Sequence, residues 1–114
     1  MSNHVTEISA ADFEAQVLRA GQPVVLDFFS TECPPCEALA PKFEAVAEQY
    51  AGRVRFLKIF RQGNRELAVK LGVTGSPTLL FFDRAGQEQG QRMGGEDIKK
   101  TAVKAQVEAL LAQP

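Results

Sequence analysis

The chain has 114 residues, 45% of them hydrophobic and 24% charged, with a formal net charge of −1. That length suits one domain spanning residues 1–114, and the composition is that of an ordinary soluble fold. The near-neutral charge gives no reason to expect nucleic acid or an anionic membrane as partner, and no run of about 18 apolar residues marks a membrane span. The first residues, Met1 to Glu7, lack a basic segment followed by an apolar core, so the expectation is a cytoplasmic monomer without a leader.

Val5 to Ile8 reads as a short strand. His4, alone in a polar tail, is expected to be a mobile surface residue and is assigned no role. Ser9-Ala10-Ala11-Asp12 is a capping-box variant that opens a helix; Phe13, Val17 and Leu18 give that helix an apolar stripe, and Gly21 stops it. Gln22-Pro23 leads into Val24 to Phe29, apolar but for Asp27, which reads as a central strand covered on both faces. After Cys36, the residues Leu39, Phe43, Val46 and Ala47 recur at the spacing of one helix face until about Gly52. Pro41 inside that helix is expected to bend it.

Val54, Phe56 and Ile59 make a third strand with Lys58 near its end, and Asn64 caps a short helix carrying Leu67, Ala68 and Leu71. Gly75-Ser76-Pro77-Thr78 precedes a strand over residues 79–82. Asp83-Arg84-Ala85-Gly86 reads as a hairpin turn to a last strand through Met93, which Gly94-Gly95 breaks. A final helix over residues 96–112 buries Ile98, Val103, Val107, Leu110 and Leu111. Strands alternating with helices imply an α/β sheet with helices on both faces.

Both cysteines lie where the central strand meets the helix, in Glu32-Cys33-Pro34-Pro35-Cys36. Residues three apart in a helical turn sit about 5–6 Å apart, within the Cα separation a disulfide accepts, so the pair can open and close in place. Cys33 falls at the helix entrance, where unpaired N–H groups and the helix dipole favour an anion; Cys36 lies a turn deeper and is expected to be less exposed. Cys33 is therefore the attacking thiol and Cys36 the resolving one. The bland alternatives are a structural disulfide or an inert buried pair. Proline pushes its predecessor out of α geometry, so Cys33 is expected to be extended and the helix to start near Pro35. Neither Pro34 nor Pro35 can donate a hydrogen bond to the Cys33 sulfur, and Glu32 and Glu37 add negative charge. The thiol pKa is then only modestly lowered, which favours a reductant over a strong oxidant.

Asp27 interrupts the apolar strand. If it is buried without a partner, its carboxyl pKa rises and it can exchange a proton with Cys36; if it sits at a wet strand end, or is neutralised by a lysine, it has a structural role only. The sequence holds no glycine-rich phosphate loop and no resident cofactor is expected. A zinc site would need four ligands, and besides the two cysteines only His4 is on offer.

Taken together, the Val-Leu-Asp-Phe-Phe strand, Cys33-Pro34-Pro35-Cys36, Pro41, Lys58, Gly75-Ser76-Pro77-Thr78 and Gly94 resemble the thioredoxin family over essentially the full length. The resemblance implies a thioredoxin fold, a central mixed five-stranded sheet flanked by four helices on both faces. It further implies that Asp27 is the buried carboxylate beneath the disulfide with Lys58 as partner, and that Pro77 is a cis proline facing the cysteines. By the same likeness, Ser76 offers backbone hydrogen bonds to an extended substrate segment and Gly94 keeps that groove open.

The implied activity is protein disulfide reduction, with a thioredoxin reductase or another electron donor restoring the dithiol. Disulfide oxidase or isomerase activity, or a binding module with little redox role, are the alternatives. The departures bear on partner choice: Glu32 and Pro34 replace the family's usual tryptophan and glycine, Phe29 stands where a second tryptophan is usual, and Arg61 stands where an aspartate is common.

Overall fold

A computed structural model describes residues 4–113; residues 1–3, part of the segment read for a leader, and residue 114 lie outside the described residues. The strands are β1 (Val5–Ile8), β2 (Val24–Phe29), β3 (Arg55–Phe60), β4 (Thr78–Phe82) and β5 (Met93–Gly94). They form one sheet in the order β1-β3-β2-β4-β5, with β1, β3 and β2 parallel and β4 and β5 antiparallel to their neighbours. The helices are α1 (Pro34–Gln49), α2 (Arg65–Lys70) and α3 (Lys100–Leu111), preceded by a 3-10 turn over Ala10–Asp12 and a π turn over Glu14–Leu18. This is the expected mixed sheet, with β2 at its centre.

Side chains alternate across a strand, and β2 shows what that does here. Val24, Leu26 and Phe28 point into a core with Val17 of the π turn, Ala68 of α2, and Leu57 and Ile59 of β3. Val25 points the other way, into a core with Leu39 and Phe43 of α1 and Val103 and Val107 of α3. Asp27 shares the parity of Val25, so it lies on the face covered by α1. Lys58 is its register partner on β3 and shares the parity of Phe56, which packs in that same core.

Several boundaries differ from the sequence reading. The segment after Ser9 is not a regular α-helix: the Ser9 amide donates to the Asp12 carboxylate at 3.0 Å, as a capping box should, but the Arg19 amide reaches back to the Glu14 carbonyl at 2.9 Å, a five-residue step. The segment is too short for helix propensity to dictate its winding. Packing of Phe13, whose ring meets Phe82 edge-on, and of buried Val17 decides it instead. The last strand is only Met93–Gly94, because the chain after the turn makes one bridge, Phe82 with Glu88, and then passes through Gly90 in a left-handed conformation. Gly94 therefore lies in β5 rather than after it. Asp97 at φ 66° is incompatible with a right-handed helix, so α3 begins at Lys100 and buried Ile98 precedes it. Pro41 lies within α1, which continues unbroken to Gln49.

His4 corrects its expectation too. It is half-buried against α1, its amide donating to Glu44 at 3.2 Å and its ring nitrogen lying 3.7 Å from Glu48.

The Asp83–Gly86 turn docks on the helical segment before β2. The Asp83 carboxylate accepts hydrogen bonds from the Ala85 and Gln87 amides, and these bonds hold its pKa below the ordinary value. A Cβ on Gly86 would collide with the Leu18 backbone, and Gly86 sits at φ 83°. Gly86→Ala is expected to lower stability by roughly 2 kcal/mol or more, since strain and collision add. Gly21, at φ 74° with open space around it, is the control: Gly21→Ala should cost only about 1 kcal/mol of strain. Thermal unfolding of the two variants in parallel checks this, and equal losses would mean that the turn does not press on Leu18.

Candidate active site

Cys33 is the N-cap of α1, with φ −130° and ψ 93°, and Pro34 and Pro35 occupy the first two helical positions. The extended Cys33 is as proline in the next position requires. Helical geometry begins one residue earlier than expected, at Pro34. Because Pro34 and Pro35 carry no N–H, the first amide of the helix able to meet the Cys33 sulfur is that of Cys36, which donates to Sγ at 3.3 Å. The Glu37 amide bonds the Cys33 carbonyl at 3.0 Å. Cys33 and Cys36 are joined in a disulfide with their Cα atoms 5.2 Å apart.

In this oxidised state the two cysteines are almost equally covered, at 8% and 7% exposure, so Cys36 is not the markedly deeper of the two. Cys33 loses its accessibility to the facing loop: its Sγ rests 3.7 Å from the carbonyl oxygen of Ser76. The Ser76-Pro77 bond is cis and Pro77 is buried. Gly94 pairs with Thr78 in the next strand, and a Cβ there would come within 3.2 Å of the Pro77 carbonyl oxygen. Ser76, Pro77 and Gly94 are thus neighbours on one side of the disulfide, and Glu32 is exposed on the preceding loop at φ 51°.

Asp27 is buried at 6% exposure, and its Oδ1 has no hydrogen-bond partner. The wet strand end is therefore excluded. Burial raises the carboxyl pKa from 3.8 to about 7, and the positive charge of Lys58 opposes the rise without cancelling it. Lys58 makes no ion pair with Asp27. Its ammonium lies over the Phe29 ring, 5.2 Å from the centroid, where the ring face attracts it. The lysine thus acts on Asp27 through its field and not through contact.

Two residues that the sequence reading gave no role in the site hold the loop in place. The Ser30 hydroxyl donates to Ser76 Oγ at 2.6 Å and Arg61 Nε donates to the same oxygen at 2.8 Å. The Thr78 hydroxyl ties the loop from below, donating to the Gly75 carbonyl at 2.8 Å. Arg61 stood out in the sequence only as a departure from the family, and Ser30 carried no signal, since a serine after a strand reads as ordinary loop. Among the described residues, no group of three or more His, Cys, Asp or Glu side chains converges as a metal site would require.

This geometry can support thiol-disulfide exchange: a sulfur at a helix mouth, a second a turn on, and a proton-holding acid on the strand face under the same helix. Comparison with known proteins agrees. The Thioredoxin family model matches residues 4–109. The chain is 35% identical over 94 residues to a thioredoxin of Pseudomonas aeruginosa, covering 82% of this chain and 86% of that one. It is 34% identical over 113 residues to a thioredoxin of Peptoclostridium acidaminophilum, covering 99% and 97%. It is also 35% identical over 112 residues to the protein disulfide-isomerase erp38 of Neurospora crassa, of which the match covers 30%. With a family match nearly as long as the chain and relatives aligned almost end to end, the chain belongs to the thioredoxin family.

Proposed function

We propose that Cys33 and Cys36 work as a Cys-Pro-Pro-Cys redox centre that reduces protein disulfides. The chain is a thiol-disulfide oxidoreductase by family and by its bonded cysteine pair. In the reduced form the Cys33 thiolate attacks one sulfur of a substrate disulfide, forming a mixed disulfide and releasing the other substrate sulfur as thiolate, which takes a proton from solvent. Asp27 accepts the proton of the Cys36 thiol. The Cys36 thiolate then attacks Cys33 Sγ, closing the Cys33-Cys36 bond and releasing the second substrate thiolate. Two electrons have passed from the dithiol to the substrate.

Each remaining residue has a part in this reading. Ser76 presents its backbone to an extended substrate segment in a local β-addition, Pro77 and Gly94 border the groove, and Glu32 lies on its rim. Pro34 and Pro35 withhold N–H donors from the Cys33 sulfur, and Lys58 moderates Asp27. The single domain acts on protein substrates as a cytoplasmic monomer without resident cofactor, recycled by a thioredoxin reductase or an equivalent donor. One observation supports the placement: two cysteines are too few to cross-link a secreted scaffold.

The observation that carries the proposal is the Cys33-Cys36 disulfide at the N-terminus of α1, seated against Ser76. The test is its reduction potential, titrated against thiol buffers. A value below about −200 mV is the expected result for a reductase. A value above about −180 mV would assign the domain to oxidation or isomerisation instead.

A further inference from the structure

We infer that Arg61 and Arg65 form a specificity pocket beside the cis-proline loop that selects protein disulfides flanked by acidic residues. The inference rests on the reductase reading above and names its substrate class. Arg61 directly follows β3, and its amide extends the strand pairing by donating to the Phe29 carbonyl at 2.9 Å. Its Nε is spent on Ser76 Oγ at 2.8 Å, and the Ser76 carbonyl is 3.7 Å from Cys33 Sγ. A fixed positive charge is therefore bonded to the very residue that meets the reacting sulfur.

The two terminal nitrogens of that guanidinium remain available to a carboxylate. Beside Arg61 opens a pocket of about 410 Å³ that also takes in Arg65, the first residue of α2. Buried Ala68 and Val73 line it together with Val69, which is 77% exposed. No carboxylate lines the pocket, and among the described residues neither Arg61 nor Arg65 forms an ion pair. Arg19 and Arg92 each have a glutamate partner, while Arg53, Arg55 and Arg84 form no ion pair among the described residues either. What sets Arg61 and Arg65 apart is their shared pocket and the Arg61 bond to Ser76.

Two arginines without counter-charge around an apolar lining complement an acidic side chain with hydrocarbon next to it. The occupant is a segment of the substrate protein carrying Asp or Glu within a residue or two of its cysteine, since Arg61, which lines the pocket, is bonded to Ser76 of the loop at which that cysteine must arrive. Charge complementarity at a rim acts on encounter rate, so the selection should show in the rate of mixed-disulfide formation and fade with salt.

The experiment uses the fully reduced chain in single turnover with three peptides, each closed by one disulfide and identical except for two residues beside a cysteine: Asp-Asp, Ser-Ser or Lys-Lys. The chain has no tryptophan to report the reaction, so product is read by acid quench and chromatography. The Asp-Asp peptide is expected to react roughly 10-fold faster than the Lys-Lys peptide at low salt, with the ratio approaching one at 0.5 M salt. Arg65→Glu, which leaves the Arg61-Ser76 bond in place, should bring the ratio to one or invert it; a ratio within one variant cancels any general loss of activity. A wild-type ratio near one at low salt, or an unchanged ratio in Arg65→Glu, overturns the pocket and leaves the reductase reading standing. Failure to reduce any of the three peptides overturns both.

Discussion

Reduced Cys36→Ser, mixed with a disulfide-bonded protein substrate, is expected to accumulate a covalent adduct through Cys33, whereas Cys33→Ser accumulates none. The asymmetry follows from the helix entrance. Cys33 is the N-cap, its sulfur receives the Cys36 amide, and it faces the Ser76 carbonyl where an incoming chain would lie. Cys36 is inside the first turn of α1, close enough to bond Cys33, while the sulfur contact with the Ser76 loop is made by Cys33. Either substitution removes one of two steps that must both occur, so both variants should lose multiple-turnover reduction by about 10³-fold or more. Only one of them stops at the mixed disulfide. Non-reducing electrophoresis reads the difference directly, and a thiol added afterwards should release the adduct. Adduct from Cys33→Ser with none from Cys36→Ser would reverse the assignment of attacker and resolver, and equal yields would mean that either thiol attacks; absence from both would leave a fold whose cysteines do no exchange.

How far the sequence foretells this site depends on how each part is encoded. The buried strand is legible because Val24 to Phe29 are apolar on both faces, and Asp27 is legible as the exception within it. The cysteine geometry follows from spacing and from the prolines that fix where the helix begins. The network on Ser76 is another matter. Ser30, Arg61 and Ser76 lie in three separate loops, and nothing periodic marks short polar residues that meet only when the sheet has formed. The same limit explains the near-equal burial of the cysteines, which depends on a loop more than 40 residues away in the chain. Local winding before β2 and the shortness of β5 were likewise decided by packing and by Gly90, not by the hydrophobic pattern that marked those segments.

Asp27→Asn is expected to separate the price of the buried acid in stability from its use in chemistry. In the folded chain the Asp27 carboxyl pKa is pushed up to about 7 by burial, against 3.8 in an exposed chain. A group whose pKa is raised on folding contributes stability that is fully present below its unfolded pKa and is lost as pH rises through the folded one. Wild-type stability should therefore fall between about pH 4 and pH 7 by ~4 kcal/mol from this residue alone, and flatten above that range. Asparagine cannot ionise, so the variant lacks this fall. Its amide replaces a neutral carboxyl that is itself buried with an unpartnered Oδ1, so the unsatisfied-group cost is largely common to both chains. The variant is thus expected to be close to the wild type in stability at pH 4 and more stable at pH 8, with the curves diverging between. Denaturant unfolding of the oxidised forms across that range is the measurement.

In the reaction the order is opposite. Without a base at position 27 the Cys36 thiol must ionise into solvent, so the mixed disulfide should persist and its resolution slow by about 10²-fold at pH 7. The residual rate should climb with pH, as hydroxide takes over the proton transfer. Two curves that stay parallel from pH 4 to pH 8 would show that the acid is not buried as its surroundings require. A resolution rate unchanged at pH 7 would show that the Cys36 proton leaves by another route, and Asp27 would then be a buried charge that the fold tolerates and the chemistry does not use.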